Sequence, residues 1–159
     1  GRFWYKAPDQ FHAAYESEND SEIWMVDGKL ISYVPSLKQV DIVKQPEGDD
    51  APINQMLLGF AAKVEKIKDV FDVSLLGENE RKGTITIKFD SKDLDRTMGY
   101  HSITITFDRA KVVPQKIVLK DPAQMVTVEL NDVKFNPEID DEVFVPEWPE
   151  DVDVVEGME

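Results

Sequence analysis

Apolar residues recur at every second position over several segments of this chain, and that alternation predicts β-strands. Isoleucine alternates with threonine at 84–87 and with serine and threonine at 102–105, which gives each segment one apolar and one polar face. The segments 22–26 and 29–34 flank Asp27-Gly28, a pair that tolerates the positive φ angles of a two-residue loop. We therefore predict a hairpin closed by a type I′ turn at this pair.

The same pattern extends to about ten strands joined by short turns. They are predicted at 2–7, 11–16, 22–26, 29–34, 37–43, 71–76, 84–89, 102–107, 116–120 and 125–135. From Ile53 to Phe71 the apolar residues instead follow a helical spacing. The polar insertion at 90–99 has room for one further helical turn. This order of elements favours a mainly β fold with helices (α+β), in which a large antiparallel sheet curls over a helix.

The composition fits a single globular domain covering 1–159, since 42% of the 159 residues are hydrophobic and 31% are charged. The formal net charge of −14 disfavours nucleic acid and anionic bilayer surfaces as partners, because such contacts need clustered Lys and Arg. No basic residue follows Lys134, and we predict an acidic C-terminal tail at about 147–159. No run of apolar residues is long enough for a membrane-spanning helix.

Nothing in the sequence gives positive support to catalysis. Cysteine is absent, which excludes a disulfide scaffold, a thiolate zinc site and a Cys nucleophile. His12 and His101 have no companions at metal-ligand spacing, and the acidic clusters 49–50 and 140–142 lack the spacing of a calcium loop. We predict no enzymatic activity, no cofactor and no metal. A hydrolase stays open only if two buried carboxyl groups meet in one cleft at about 5–10 Å.

Large aromatic residues are concentrated near the N-terminus. Residues 1–33 contain Phe3, Trp4, Tyr5, Phe11, Tyr15, Trp24 and Tyr33. These rings either fill a core or form the wall of a concave apolar pocket, and composition alone leaves both interpretations open.

The order of several short motifs resembles the LolA-type lipoprotein carriers. The opening GRFWYKAPDQF is similar to a family segment in which Gly, apolar residues and Lys-Arg-Pro lead to a Phe. Asp27-Gly28-Lys29 resembles the family's hairpin, and a Y-x-P and Q-V pattern follows it at 33–40. Later matches lie at Pro52–Gly59, Pro114–Ile117, Asn136, Ile139-Asp140, Phe144, Pro146 and Asp153-Val154. The resemblance covers nearly the whole chain.

This resemblance implies an incomplete, strongly curved antiparallel β-barrel covered by a helical lid. Its apolar cavity would bind the acyl chains of lipoproteins and carry them across the periplasm toward the outer membrane. The resemblance further implies a periplasmic location, an inner-membrane donor complex and an outer-membrane acceptor. It also implies that an N-terminal helix and a first strand are missing from this chain.

One position departs from the family pattern. The Arg that precedes Pro in the family motif is Ala7 here. The family ties that Arg to lid closure and to the transfer of cargo. A non-transporting lipid or lipoprotein sensor on the same fold is therefore the alternative function.

Within this fold we predict the side chains that contact lipid. Phe3 and Tyr5 follow from strand alternation, and four isoleucines are included because they lie on apolar strand faces. The predicted cavity residues are Phe3, Tyr5, Phe11, Trp24, Tyr33, Ile85, Ile87, Ile103 and Ile105, and the predicted lid residues are Met56, Leu57 and Phe60. Plain core packing is the competing interpretation for each of them.

Overall fold

The computed structural model describes residues 1–6, 9–16, 20–44, 64–97, 99–111 and 113–157. Ala7 and the predicted lid residues Met56, Leu57 and Phe60 lie outside the described residues. The described part contains one α-helix and eleven strands. They are β1 (Arg2–Lys6), β2 (Gln10–Ala14), β3 (Glu22–Val26), β4 (Lys29–Val34), β5 (Gln39–Lys44), α1 (Val64–Val70), β6 (Phe71–Asn79), β7 (Thr84–Ser91), β8 (Ser102–Asp108), β9 (Val113–Lys120), β10 (Met125–Glu129) and β11 (Asp153–Glu156).

The strands form two sheets, and each sheet belongs to one compact unit of the chain. The first unit comprises Gly1–Ala51 and Glu138–Glu159, and the second comprises Pro52–Pro137. The strand order is β1-β2-β3-β4-β5-β11 in the first unit and β10-β9-β8-β7-β6 in the second. The mainly β prediction is confirmed. The described strands nevertheless form sheets of six and five strands, neither closed on itself, where the sequence predicts one large sheet of about ten.

The hairpin predicted at Asp27-Gly28 is confirmed. The two residues have positive φ angles of 52° and 69°, as a type I′ turn requires. This tight turn fixes the register of β3 against β4, so that Trp24 lies opposite Ile31 and Met25 opposite Leu30. The register in turn decides which side chains share a face of the first sheet.

Strand β5 begins two residues later than the alternation predicts. Pro35–Leu37 forms a 3-10 helix and Lys38 adopts a left-handed conformation with φ 51°, so extended pairing starts only at Gln39. Proline suits the start of such a turn because its ring fixes φ near the helical value. Leu37, which the alternation assigns to the strand, is exposed in the turn instead.

The acidic C-terminal end contributes an eleventh strand, which the sequence does not predict. A 3-10 helix, Asp141–Phe144, comes first, and the Asp140 carboxylate caps it by accepting a hydrogen bond from the Glu142 amide at 3.2 Å. Strand β11 then pairs in parallel with β5, and the Asp153 amide next to it donates to the Lys38 carbonyl at 2.9 Å. The side chains of β11 are exposed, so backbone pairing holds this strand in place.

An ion pair beside β11 makes its attachment dependent on pH. Lys38 Nζ donates to Asp151 Oδ2 at 2.5 Å. This hydrogen bond, and then the opposite charge, lower the pKa of Asp151 and raise the pKa of Lys38. The pair therefore stabilises the folded state between the two pKa values. That contribution is lost as pH falls through the lowered pKa of Asp151 or rises through the raised pKa of Lys38.

We expect Asp151→Asn to accelerate hydrogen exchange of the Asp153 amide at neutral pH. The effect should be small, because both side chains are exposed and solvent screens the pair. At a pH below the lowered pKa of Asp151, the variant and the parent should exchange at the same rate, since the carboxylic acid of the parent is then uncharged, like the amide of the variant. Equal exchange rates at neutral pH would show that the ion pair does not hold β11.

A core cluster lies on one side of the first sheet. Trp24, Ile31 and Val40 are buried there, and Trp148 and Val152 of the C-terminal segment pack against them. The residues that follow the 3-10 helix thus cover this side of the sheet before the chain reaches β11.

Alternation in the second sheet places apolar side chains on one face, as the sequence predicts for 84–87 and 102–105. Six residues form its buried centre: Phe71, Phe89, Ile103, Ile105, Ile117 and Leu119. The helix α1 adds Ile67 and Val70 to this cluster. The opposite face is polar, and there the hydroxyl groups of Thr86 and Thr106 are hydrogen-bonded at 3.1 Å.

Two further segments of the second unit can be compared with their predictions. Strand β10 ends at Glu129, whereas the sequence predicts a strand through 135, and Asp132 beyond it has a positive φ of 54° that extended pairing does not allow. The insertion at 90–99 contains the 3-10 helix Asp95–Thr97, which confirms the predicted helical turn. The buried Thr97 anchors this turn by donating its hydroxyl to the Tyr100 carbonyl at 2.9 Å.

Candidate functional site

The side of the first sheet opposite its core cluster is apolar and only partly buried. Strand pairing places Phe3 opposite Ala13, Tyr5 opposite Phe11, and Phe11 opposite Met25. We call this side the partly exposed face. Its apolar members are Phe3, Tyr5, Phe11, Ala13, Ile23, Met25, Leu30, Val34 and Val43, and the polar residues Ser32, Gln39 and Asp41 lie on the same side.

Exposure varies across the partly exposed face. The side chain of Phe3 is 39% exposed and Val43 is also exposed, whereas most of the others are half-buried. Burial, followed by the nearby Asp9 carboxylate, raises the pKa of the Tyr5 hydroxyl above its ordinary value. At β5 polar side chains replace the apolar ones. There the side-chain amide of Gln39 donates a hydrogen bond to the Asp41 carboxylate at 2.7 Å.

The opposite side of the first sheet carries a column of three stacked rings. Trp4, His12 and Trp24 lie directly across β1, β2 and β3 from one another. Ring centroids are 4.9 Å apart for Trp4 and His12, and 4.8 Å apart for His12 and Trp24, with interplanar angles of 23° and 14°. His12 Nε2 lies 2.8 Å from the Glu22 carboxylate, an acceptor, which assigns the ring hydrogen to this nitrogen.

The predicted aromatic residues therefore divide between the two sides of the first sheet. Phe3, Tyr5 and Phe11 come together on the partly exposed face. Trp24 and Tyr33 lie on the opposite side, where Trp24 is buried and Tyr33 packs against the core cluster. The cause is the two-residue period of a strand, because the pairing that places Phe11 across from Met25 turns Trp24 to the other side.

The four predicted isoleucines share the apolar face of the second sheet. Ile103 and Ile105 are buried in its core cluster, while Ile85 and Ile87 are half-buried. This face becomes exposed along β6, where the side chain of Leu75 is 59% exposed. A lipid contact at these four positions stays a prediction.

Alternation of the aromatic residues alone misses several members of the partly exposed face. These are Ile23, Met25, Leu30, Val34 and Val43. The turn at Asp27-Gly28 contains the missing information, because a two-residue loop fixes the pairing of the strands on either side of it. Met25 and Leu30 are then necessarily opposite each other, and Ile23 and Val34 lie on the same side.

The described residues offer apolar contact and little polar chemistry. The buried polar or charged side chains among them are His12, Thr84 and Thr97, so this part of the chain has no buried pair of carboxyl groups such as a hydrolase would need. Within the same ranges, no group of three or more His, Asp or Glu residues is placed to hold a metal ion. No helix in the described part of the chain is long and apolar enough to cross a membrane.

Comparison with known proteins gives a family and several remote structural likenesses, two of which are described here. A family model described as "Outer membrane lipoprotein carrier protein LolA" matches residues 1–147. An uncharacterized conserved protein from Thermus thermophilus is 12% identical, with a TM-score of 0.49 over 93% of this chain and 75% of that chain. A domain from Vibrio parahaemolyticus, named for outer membrane lipoprotein sorting, is 15% identical, with a TM-score of 0.38 over 79% of this chain and 63% of that chain. No curated protein matches.

Proposed function

This chain belongs to the LolA family of outer membrane lipoprotein carriers, and we propose that it binds the acyl chains of lipoproteins and carries them across the periplasm toward the outer membrane. The proposed binding surface is the partly exposed face of the first sheet. An inner-membrane complex would supply the cargo, and an acceptor at the outer membrane would receive it. The chain itself would act in the periplasm as a carrier, without catalysing a reaction.

One observation carries the proposal, namely that large apolar side chains lie together on a sheet face that is not fully buried. Phe3, Phe11 and Met25 belong to neighbouring strands and lie on the same side. An acyl chain has no hydrogen-bonding groups, so it binds to a surface of apolar side chains with few polar groups beside it.

Hydrophobic transfer alone supplies enough free energy for such binding. Each methylene group moved out of water contributes about 0.8 kcal/mol, so a chain of about 16 carbons offers on the order of 12 kcal/mol before the costs of association. Catalytic groups and metal ions contribute nothing to this transfer. The same independence from polar contacts would let one surface accept many lipoproteins that differ in their protein part.

The alternative is a sensor that binds lipid on the same fold and does not deliver it. Ala7 favours this alternative, because the family has an Arg there that is tied to the transfer of cargo. A release assay with an acceptor membrane distinguishes the two functions, since only a carrier passes its bound lipid on. Acyl-chain binding is common to both.

We expect Phe3→Glu to weaken the binding of a fluorescent fatty-acid probe by about tenfold or more. The substitution removes a ring that would contact the acyl chain and puts a carboxylate in its place, and about 1.4 kcal/mol of lost affinity corresponds to tenfold. Phe3 lies on the edge strand β1 and is partly exposed, so the fold should tolerate the change. The dissociation constant is obtained by titrating the probe into each protein.

Leu37→Glu provides the matched control for this titration. It introduces the same charge at an exposed apolar residue of the same unit, in the 3-10 turn and outside the strands that form the partly exposed face. The control should bind the probe as tightly as the parent chain. Equal affinity in Phe3→Glu, Leu37→Glu and the parent would exclude the partly exposed face as the binding surface.

A further inference from the structure

The second unit has a cleft of its own, remote in sequence from the partly exposed face. It lies between the start of β9, the turn before it, and the segment that follows β10, and its volume is about 610 Å³. The lining residues are Asp108, Lys111, Val113, Pro114, Gln115, Leu130, Asp132, Val133, Lys134 and Phe135. The set combines apolar side chains with two lysine amines and two aspartate carboxylates.

The apolar part of the cleft is continuous with the core of the second sheet. Val113 and Pro114 are buried at the start of β9. Leu130 lines the cleft and also packs against the core cluster of this sheet. Phe135 adds an aromatic ring that is 54% exposed. A ligand in the cleft would therefore meet a hydrocarbon surface.

Two amines at the cleft are available to an anion. Lys111 and Lys134 are exposed, and neither has an ion-pair partner among the residues that the structure describes. Asp108 also lines the cleft, but its carboxylate is engaged by the backbone amides of Ala110 and Lys111, both at 2.9 Å. Asp132 contributes a second carboxylate to the lining, and an anion bound at the two amines would have to tolerate it.

The segment that forms one wall of the cleft contains two residues with left-handed backbone and is hydrogen-bonded to β9. Asp132 and Asn136 have positive φ angles of 54° and 46°, although neither is glycine. The Leu130 amide donates to the Gln115 carbonyl at 2.8 Å and ties this segment to β9. Asp and Asn tolerate the left-handed conformation better than most residues, so both fit the turns that shape this segment.

We propose that this cleft binds the headgroup of an anionic phospholipid. The phosphate would lie near Lys111 and Lys134, and the first carbons of the lipid would contact Val113, Pro114 and Leu130. A lipid is favoured over a free phosphate because the apolar surface would otherwise gain nothing from binding. Such a site would let the chain recognise an anionic membrane lipid locally, although its overall charge is repelled by an anionic bilayer.

The test compares three soluble ligands by isothermal titration calorimetry. Lysophosphatidylglycerol is anionic, lysophosphatidylcholine is zwitterionic with the same chain, and glycerol 3-phosphate supplies the headgroup without a chain. Each is used below the concentration at which it forms micelles. We expect the anionic lysolipid to bind about tenfold more tightly than the zwitterionic one, as two partly screened ionic contacts would give. Glycerol 3-phosphate should bind far more weakly than either.

Two double variants assign the headgroup preference to the cleft. Lys111→Gln with Lys134→Gln should abolish it, while Lys116→Gln with Lys120→Gln, which removes two exposed lysines of β9 outside the cleft, should preserve it. The proposal is wrong if the double variant at Lys111 and Lys134 still prefers the anionic lysolipid. It is equally wrong if both double variants lose that preference. It is also wrong if glycerol 3-phosphate binds as tightly as lysophosphatidylglycerol, since the site would then recognise the phosphate group without the acyl chain.

A third variant tests the sign of the electrostatic effect. Asp132→Asn removes a negative charge from the cleft and keeps a residue type that tolerates a left-handed backbone. It should strengthen the binding of lysophosphatidylglycerol by a few-fold and leave lysophosphatidylcholine unchanged. An unchanged or weaker affinity for the anionic lysolipid would contradict the proposal.

The headgroup preference can be separated from acyl-chain binding at the first sheet. Phe3→Glu should weaken the binding of the fluorescent fatty-acid probe and leave the affinity ratio of the two lysolipids at the cleft unchanged, because Phe3 does not line the cleft. A preserved ratio together with unchanged binding of the fatty-acid probe would count against the proposed function and not against the cleft. A ratio that collapses in Phe3→Glu would count against the cleft.

Discussion

Replacing Phe144 by Ala is expected to lower the free energy of unfolding of the first unit by about 3–5 kcal/mol. The side chain of Phe144 is only 2% exposed, and the 3-10 helix that carries it contacts β2. Removal of the ring would leave a cavity that the short helix has little freedom to fill. The effect should appear in the fluorescence of the tryptophans during denaturation, because Trp4, Trp24 and Trp148 all belong to this unit.

The neighbouring residue provides a control within the same segment. Val145 follows Phe144 directly and is 54% exposed. We expect Val145→Ala to change the stability by no more than about 0.5 kcal/mol, as for most exposed positions. Similar losses in the two variants would mean that the C-terminal segment does not complete the core of the first unit.

Replacing Phe71 by Ala is expected to have a comparable effect on the second unit, a loss of about 3–5 kcal/mol. Phe71 is 1% exposed and meets Phe89 edge to face, with ring centroids 6.1 Å apart. The edge-to-face contact adds to the burial of the ring. Faster hydrogen exchange of the backbone amides of Ile103 and Ile105, which lie in the same core cluster, would report the loss.

Leu75 gives the matched comparison for Phe71. Both side chains lie on the apolar face of the second sheet and on the same strand, but Leu75 is largely exposed. Leu75→Ala should therefore change stability by about 0.5 kcal/mol or less. Slow exchange of the core amides in both variants would contradict the assignment of Phe71 to the core.

Local patterns in the sequence predict much of this fold, because they record constraints that act over a few residues. The turn at Asp27-Gly28 is confirmed because few residue pairs tolerate positive φ at both positions. The alternating segments at 84–87 and 102–105 are confirmed as strands because each isoleucine faces the core while the threonines face away. The mainly β character follows from such segments.

The differences arise where pairing depends on residues far apart in the chain. Strand β11 is acidic and exposed, and only its parallel contact with β5, more than a hundred residues earlier, makes it a strand. The division into two sheets arises because β5 pairs with β4 and β11 and not with β6. Alternation within a segment contains no information about either.

The candidate site shows the same limit on a smaller scale. Alternation correctly places Phe3 and Tyr5 on the same face, because they are two residues apart on one strand. It does not show whether Phe11 and Trp24 lie on the same face of the sheet, since that depends on how β2 pairs with β3. The two amines of the cleft, Lys111 and Lys134, lie on different loops and come together only through the fold.

Native mass spectrometry with a diacylated lipopeptide tests the central claim most directly. The account predicts a one-to-one complex of this chain with the lipopeptide, and no complex with the same peptide lacking its acyl chains. The complex should be depleted in Phe3→Glu and retained in Leu37→Glu, because only Phe3 belongs to the partly exposed face. Absence of the complex, or equal retention of the acylated and unacylated peptides, would contradict acyl-chain binding by this chain.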